Sequence, residues 1–491
     1  MLLITGVGLY VSRAVLDQLG VEDYGVYNAV AGVVSMFALL NMSMSGTTAR
    51  FITFELGNGN LHGLKKLFAL SLTIHVLLGI FVLLFAESLG IWFIQNHMQI
   101  PDGRMGAAEW VLHSAVLTSF ISILNVPYNA LIIAHERMNI FAYFSFIDAF
   151  LKLGLVLGMG TFQGDKLIYY ALAMVLAQLI MQCIYVWYCY RAFEASRTGL
   201  GWEKDTFKEM AAFAGWSLFG DSAALLFTQG LNILLNMFFG PVVNAARGIA
   251  VQVQGVLMRF TGSFQMAINP QLTKSFASGE QVYMHKLIYA SSKFSFILFL
   301  GLSMPMWFEA KQILHWWLHI VPEYTVSFLR IILMISLVDC LANPLVIAAK
   351  ASGNIRRYQA VLGSLLLIIV PVSYLLLKMG FPPETVFWVH LTVVCIGHYV
   401  RIRLVRTLIA LDMHAYLKQV IAKVAMLVLL APIIPAIFHT NMDEGLIRFL
   451  TVSLLCIVSI GLLSWIVAMD VEEKNLILKQ VRIFSKRNYE R

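Results

Sequence analysis

Charge is scarce in this chain. Asp, Glu, Lys and Arg together make up 13% of its 491 residues, against 59% hydrophobic residues and a mean hydropathy of +0.78. That balance excludes a water-facing globular surface at this length. Cysteine is scarce too: Cys183, Cys189, Cys340, Cys395 and Cys456 all fall in apolar runs without paired metal-ligand spacing. They read as small apolar residues, not as a disulfide framework or a zinc site. No long hydrophilic connection is present either. The longest, about 190–209 (RAFEASRTGLGWEKDTFKEM), is too short for an extramembrane domain. No catalytic residue is expected. A phosphate-cradling glycine loop is also missing, so ATP is not the expected driver, and neither a cofactor nor a metal is expected.

What the sequence does have is apolar runs, about fourteen of them: 1–19, 24–47, 67–94, 108–133, 140–160, 167–190, 210–239, 242–269, 286–307, 324–349, 359–379, 385–410, 417–438 and 446–468. A helical span needs about 20 mainly apolar residues to cross about 30 Å of hydrocarbon. The runs therefore predict an all-α polytopic membrane protein with about fourteen transmembrane helices. The first run is read as a span rather than a signal peptide, because no basic residues precede it and no small-x-small site follows. Of the 35 Lys and Arg residues, 23 lie on the even-to-odd connections and the C-terminal tail, and 5 on the alternate connections. This asymmetry places both termini in the cytoplasm. The net charge of +8 then faces anionic inner-leaflet lipid, and no nucleic acid partner is expected.

The chain also repeats itself at an offset near 220. LGVEDYGVYNAVAGVVSMFALLNMSMSG from Leu19 parallels FGPVVNAARGIAVQVQGVLMRFTGSFQM from Phe239, aligning Gly20 with Gly240. Lys66 aligns with Lys286, Pro101 with Pro322, Pro127 with Pro344 and Gly160 with Gly380. A parallel repeat of six spans predicts two lobes, 1–190 and 210–410, around a central cavity. A cytoplasmic linker at 191–209 joins them, two further helices follow at 411–470, and a basic cytoplasmic tail closes the chain at 471–491. Proline inside a span kinks it, which makes Pro127 and Pro344 candidate hinges.

Three stretches carry a family resemblance: LGVEDYGVYNAVAGVVSMFALLNMSMSGTTARFITFELGNGN, NVPYNALIIAHERMNIFAYFSFIDAFLKLG and QGLNILLNMFFGPVVNAARGIAVQVQGVLMRFTGSFQMAINPQLTKSFASGE. They resemble the polysaccharide transporter, or O-antigen repeat-unit flippase, branch of the multidrug/oligosaccharidyl-lipid/polysaccharide exporter superfamily. The resemblance implies fourteen spans, two six-helix lobes around a V-shaped cavity, and residence in the bacterial inner membrane. It implies a substrate too, an undecaprenyl-pyrophosphate-linked oligosaccharide turned between leaflets, with membrane lipids and other polysaccharide-assembly membrane proteins as partners.

Seven basic residues remain inside spans: Arg13, Lys152, Arg247, Arg259, Lys293, Arg330 and Lys423. Each costs about 2.5–3.5 kcal/mol at the bilayer centre, and a water-filled cavity that receives an anion gives them a common reason. Arg13, Lys152, Arg259, Lys293 and Arg247 are the substrate-binding candidates, with snorkelling to the headgroups an equal reading for Arg247. Arg330 and Lys423 lie near span ends and read as interfacial. Lys152 is the deepest, and Asp148, four residues before it, shares its helix face. The pair is either a cavity face or a mutually neutralised structural contact. Asp148, Asp221 and Asp339 are the ion-coupling candidates, since a desolvated carboxylate can carry a proton.

The expectation is a flippase working by alternating access with ion coupling. A cation-coupled multidrug exporter of the same superfamily is the alternative, and it would favour an acidic cavity over a basic one. A membrane polysaccharide polymerase is disfavoured by the short connections.

Overall fold

The computed structural model describes residues 2–35, 38–98, 100–101, 103–318 and 321–475; most of the basic tail, from residue 476, lies outside them. The described residues are helical almost throughout, with no strand among them. The elements are α1 (Leu2–Ser35), α2 (Ala38–Gly57), α3 (Leu61–His97), α4 (Met105–Ala134), α5 (Met138–Gly158), α6 (Lys166–Ala192), α7 (Lys204–Ala277) and α8 (Gln281–Phe308). After them come α9 (Ala310–Leu318), α10 (Thr325–Ala351), α11 (Arg356–Lys378), α12 (Thr385–Ile409), α13 (Met413–Tyr416), α14 (Ala422–Leu430), α15 (Ile433–Asn441) and α16 (Leu446–Leu463). Eleven helical stretches of the described residues are long and apolar enough to cross a membrane. One of them, α7, has 74 residues, which at 1.5 Å per residue is more than twice the hydrocarbon thickness.

α7 solves this by folding back. Gly240 adopts φ 79° and ψ −174°, a conformation essentially restricted to glycine, and Pro241 restarts the helix with its fixed φ and no N–H to satisfy. Arg247 then donates to Asn232 at 2.8 Å, although fifteen residues of straight helix would separate them by about 22 Å. α7 is therefore two antiparallel spans. Gly20 breaks α1 with the same geometry, φ 78° and ψ 171°. α3 and α4 begin at residues 61 and 105, and α8 and α10 at 281 and 325, 220 residues later in both cases. Pro127 and Pro344, read as hinges, lie buried inside the unbroken helices α4 and α10. Among the described residues, non-helical backbone angles inside a helix fall at Gly20 and Gly240.

Contacts divide the chain into two compact units. One comprises the residues up to Asp221 with Phe276–Gly279, the other Ser222–Ser275 with the residues from Glu280 on. The division falls inside α7, later than the expected linker at 191–209, and the helices after residue 411 belong to the second unit. In the first unit the core joins Val26 and Val30 of α1 to Ala108, Val111 and Leu112 of α4 and Leu167 of α6. In the second it gathers around Phe299, Phe328, Leu329 and Phe387. Lipid is as apolar as leucine, so helix association relies on close packing and polar contacts. Ser43 donating to the Ala214 carbonyl at 3.0 Å in the first unit is one such contact, and Gln254 donating to Ser336 at 2.6 Å in the second is another.

Candidate functional site

Within the second unit the two arms of α7, with α10, α11 and α12, enclose a cavity of about 350 Å³. Helical periodicity assembles its wall. Arg247, Val251 and Gln254 recur at i, i+4 and i+7 on the second arm of α7, Ile332, Ile335 and Asp339 at i, i+3 and i+7 on α10, and His390, Val394, Gly397 and Arg401 at i, i+4, i+7 and i+11 on α12. Most of the lining is apolar, and into it project two guanidiniums, one carboxylate, one imidazole and one carboxamide.

Each polar group is held differently. Arg247 is 8% exposed. Its Nη1 donates to Asn232 Oδ1 at 2.8 Å and its Nη2 to the Thr228 carbonyl at 3.0 Å, both supplied by the arm before Gly240. Its Nε has no acceptor. Arg401 donates from Nε to the Tyr358 hydroxyl at 3.0 Å, while its buried Nη1 is unpaired. His390 packs its ring edge-on against Phe227, centroids 4.9 Å apart. Asp339 forms no ion pair or hydrogen bond among the described residues. One turn before Arg401, His398 is buried with neither ring nitrogen satisfied. A low-dielectric pocket with two guanidiniums against one carboxylate carries net positive charge, and its unsatisfied donors favour an anion or water.

The other expected site residues are dispersed. Arg13 is exposed and lies 3.8 Å from Asp17. Lys152 donates to Asp148 at 2.8 Å, on α5 of the first unit. Arg259 is exposed on α7, and Asp221 is half-buried on the same helix. Lys293 is not among the residues that line this cavity. It is 1% exposed and donates to the Ala468 carbonyl at 3.3 Å, Asp470 at 3.0 Å and Glu473 at 2.9 Å, so all three of its N–H groups are used. Lys423 shares the Asp470 carboxylate at 2.5 Å. Burial alone would raise Asp470, but the hydrogen bonds and charges of Lys423 and Lys293 outweigh it and hold the carboxyl below its usual range.

Of the expected residues, the cavity collects Arg247 and Asp339. Arg401 and His390 were missed. Arg401 counts with the basic residues of a connection in the sequence, because RIRLVR reads as the end of a span. Its position eleven residues, three turns, after His390 is the signal that puts both on one face.

No family model matches the chain, and no curated protein does. Solved structures do. A MATE protein crystallised in complex with MaL6 superposes with TM-score 0.70 at 13% identity, over 84% of this chain and 94% of that one. An outward-facing multidrug resistance MATE family transporter of the MOP superfamily gives 0.70 at 14%, over 84% and 94%. A MOP superfamily transporter from Pyrococcus furiosus, noted for the reverse polarity of its binding pocket, gives 0.65 at 15%, over 84% and 93%. At such identities the likeness concerns the fold: this chain has the polytopic, all-helical fold of the MATE transporters.

Proposed function

We propose that this protein is a membrane transporter that moves an undecaprenyl-pyrophosphate-linked oligosaccharide across the bacterial inner membrane by alternating access, with ion coupling. The observation that carries the reading is the sign of the cavity: Arg247 and Arg401 against Asp339. A diphosphate is matched by planar guanidiniums that donate paired hydrogen bonds. A cavity of this volume takes the diphosphate, and the sugars stay outside it. The second reading, a cation-coupled drug exporter, is favoured by one feature, the unpartnered Asp339.

The two readings separate in a strain lacking its own flippase. Arg247→Met and Arg401→Met should each abolish restoration of surface polysaccharide while the protein still accumulates, since methionine fills the space without leaving a buried charge. Restored polysaccharide in both variants would defeat the flippase. Drug efflux that survives the two arginine changes and fails in Asp339→Asn would establish the exporter instead.

A further inference from the structure

A second concavity in the second unit has the opposite character. α8, α10 and α14 border a crevice of about 220 Å³ whose lining is apolar apart from Ser303. Leu300, Met304 and Trp307 of α8 line one wall, Leu333 and Leu337 of α10 another, and Val428 of α14 the third. Trp307 is 37% exposed and Val428 41%, so the crevice opens onto the surface of the unit. Along a membrane span that surface is hydrocarbon. The crevice starts at the end of α8, where Trp307 is the penultimate residue, and follows α8 inward to Leu300, about 10 Å.

A cation stands at the mouth. Arg330, in the second turn of α10, donates from Nε to the Trp307 carbonyl at 3.0 Å, and its guanidinium lies 5.0 Å from the centroid of the Trp307 ring. The carbonyl is one that the end of α8 leaves over, and the indole face attracts the cation. Neither Nη nitrogen has an acceptor among the described residues. Glu309, the next carboxylate along α8, is taken by Arg448 at 2.9 Å and His439 at 3.0 Å. Arg330 is thus a held cation with four free N–H groups, at the depth where an aromatic belt residue and a helix end mark the interface.

We propose that this crevice binds one acyl chain of an anionic glycerophospholipid, with the lipid phosphate on Arg330. A single guanidinium suits a monophosphate. An apolar slot about 10 Å deep accepts a stretch of one straight chain and offers nothing to a sugar. The site is independent of the charged cavity and of the transported substrate.

Trp307 reports its own occupancy. The full-length protein is reconstituted in nanodiscs containing acyl-brominated phosphatidylglycerol or, at equal bromine density, acyl-brominated phosphatidylcholine. The Trp307 contribution to tryptophan quenching is taken as the difference from Trp307→Phe. Brominated phosphatidylglycerol should quench it with about fivefold enrichment over phosphatidylcholine. Arg330→Gln should remove the preference and Arg330→Lys keep much of it, while Met334→Phe, which narrows the crevice without touching the charge, should lower quenching by both lipids. Unbrominated phosphatidylglycerol should reverse the quenching. Equal quenching by the two lipids would reduce Trp307 to an ordinary lipid-facing residue, and no quenching would close the crevice to lipid. Reversal by a polyprenyl phosphate but not by phosphatidylglycerol would assign the slot to the carrier lipid. Each of these three results overturns the proposal.

Discussion

Lys152 and Asp148 bond at 2.8 Å with side chains 36% and 33% exposed. That exposure is what a cavity face requires and also what a lipid-snorkelling pair would show, so the distinction has to be functional. If Lys152 receives the anion, Lys152→Ala should abolish polysaccharide export with the protein still present in the membrane, and Lys152→Arg should keep part of the activity. If the pair is structural, Lys152→Ala should lower abundance by stranding Asp148, and the double change to alanine should restore it. Asp470 makes a different claim. Its folded-state value lies below the ordinary one, so the ties from Lys293 and Lys423 stabilise the protein at pH above about 4 and are lost as pH falls through the lowered value. The melting temperature of wild type in detergent should exceed that of Asp470→Asn by a constant amount from pH 5 to 8, and the difference should close at lower pH. The sequence makes Lys293 a cavity candidate and does not show its contacts, because these partners come 175 to 180 residues later. Nothing local distinguishes a lysine waiting for a carboxylate from one lining a cavity. Arg247 and Asp339 were legible because a charge within an apolar run stands out; Arg401 was not, because other basic residues surround it.

At the scale of elements, the informative signal was glycine. Proline inside a span drew the hinge reading, yet α4 and α10 run through Pro127 and Pro344 without interruption. Helices in a membrane tolerate proline where neighbours re-satisfy the freed carbonyl. Gly20 and Gly240 matter more, because positive φ with extended ψ is a conformation other residues rarely adopt. Beyond the adjoining backbone, no described atom lies within 4 Å of where a Cβ would stand at either glycine, so the cost of substitution is conformational. Gly20→Ala and Gly240→Ala should each destabilise the protein by about 1–3 kcal/mol, measured as a lowered thermal midpoint in detergent. Gly240→Ala should also weaken the Arg247 contacts that depend on the reversal. Helix existence was readable throughout from run length and hydropathy. The repeat aligns Gly240 with Gly20, and the two share one backbone conformation.

For the whole molecule, charge asymmetry predicts that residues 190–209 face the cytoplasm. Single cysteines placed there in a cysteine-free background should resist an impermeant maleimide in intact cells and react after permeabilisation; labelling from outside would overturn the topology. The repeat predicts lobes at 1–190 and 210–410, whereas the contact units divide inside α7, after Asp221. Chain connectivity in α7 passes from one unit to the other without a break in hydropathy to announce it. The sequence reads residues 411–470 as two additional helices but does not say what they pack against, because their partners lie far back in the chain. The structure ties them to α8 at two points. Lys293 is held by Asp470 and Glu473, and Glu309 by Arg448, sixteen residues or about 24 Å apart along α8. This arrangement sets a schedule. Asp470 follows Lys293 by 177 residues, which at a synthesis rate of about 5–20 residues per second is a delay of roughly 10–35 s. During that interval the newly inserted α8 holds an ammonium and a carboxylate with no counter-ions. A ribosome that stalls before His439 leaves both charges without the partners that hold them in the finished fold.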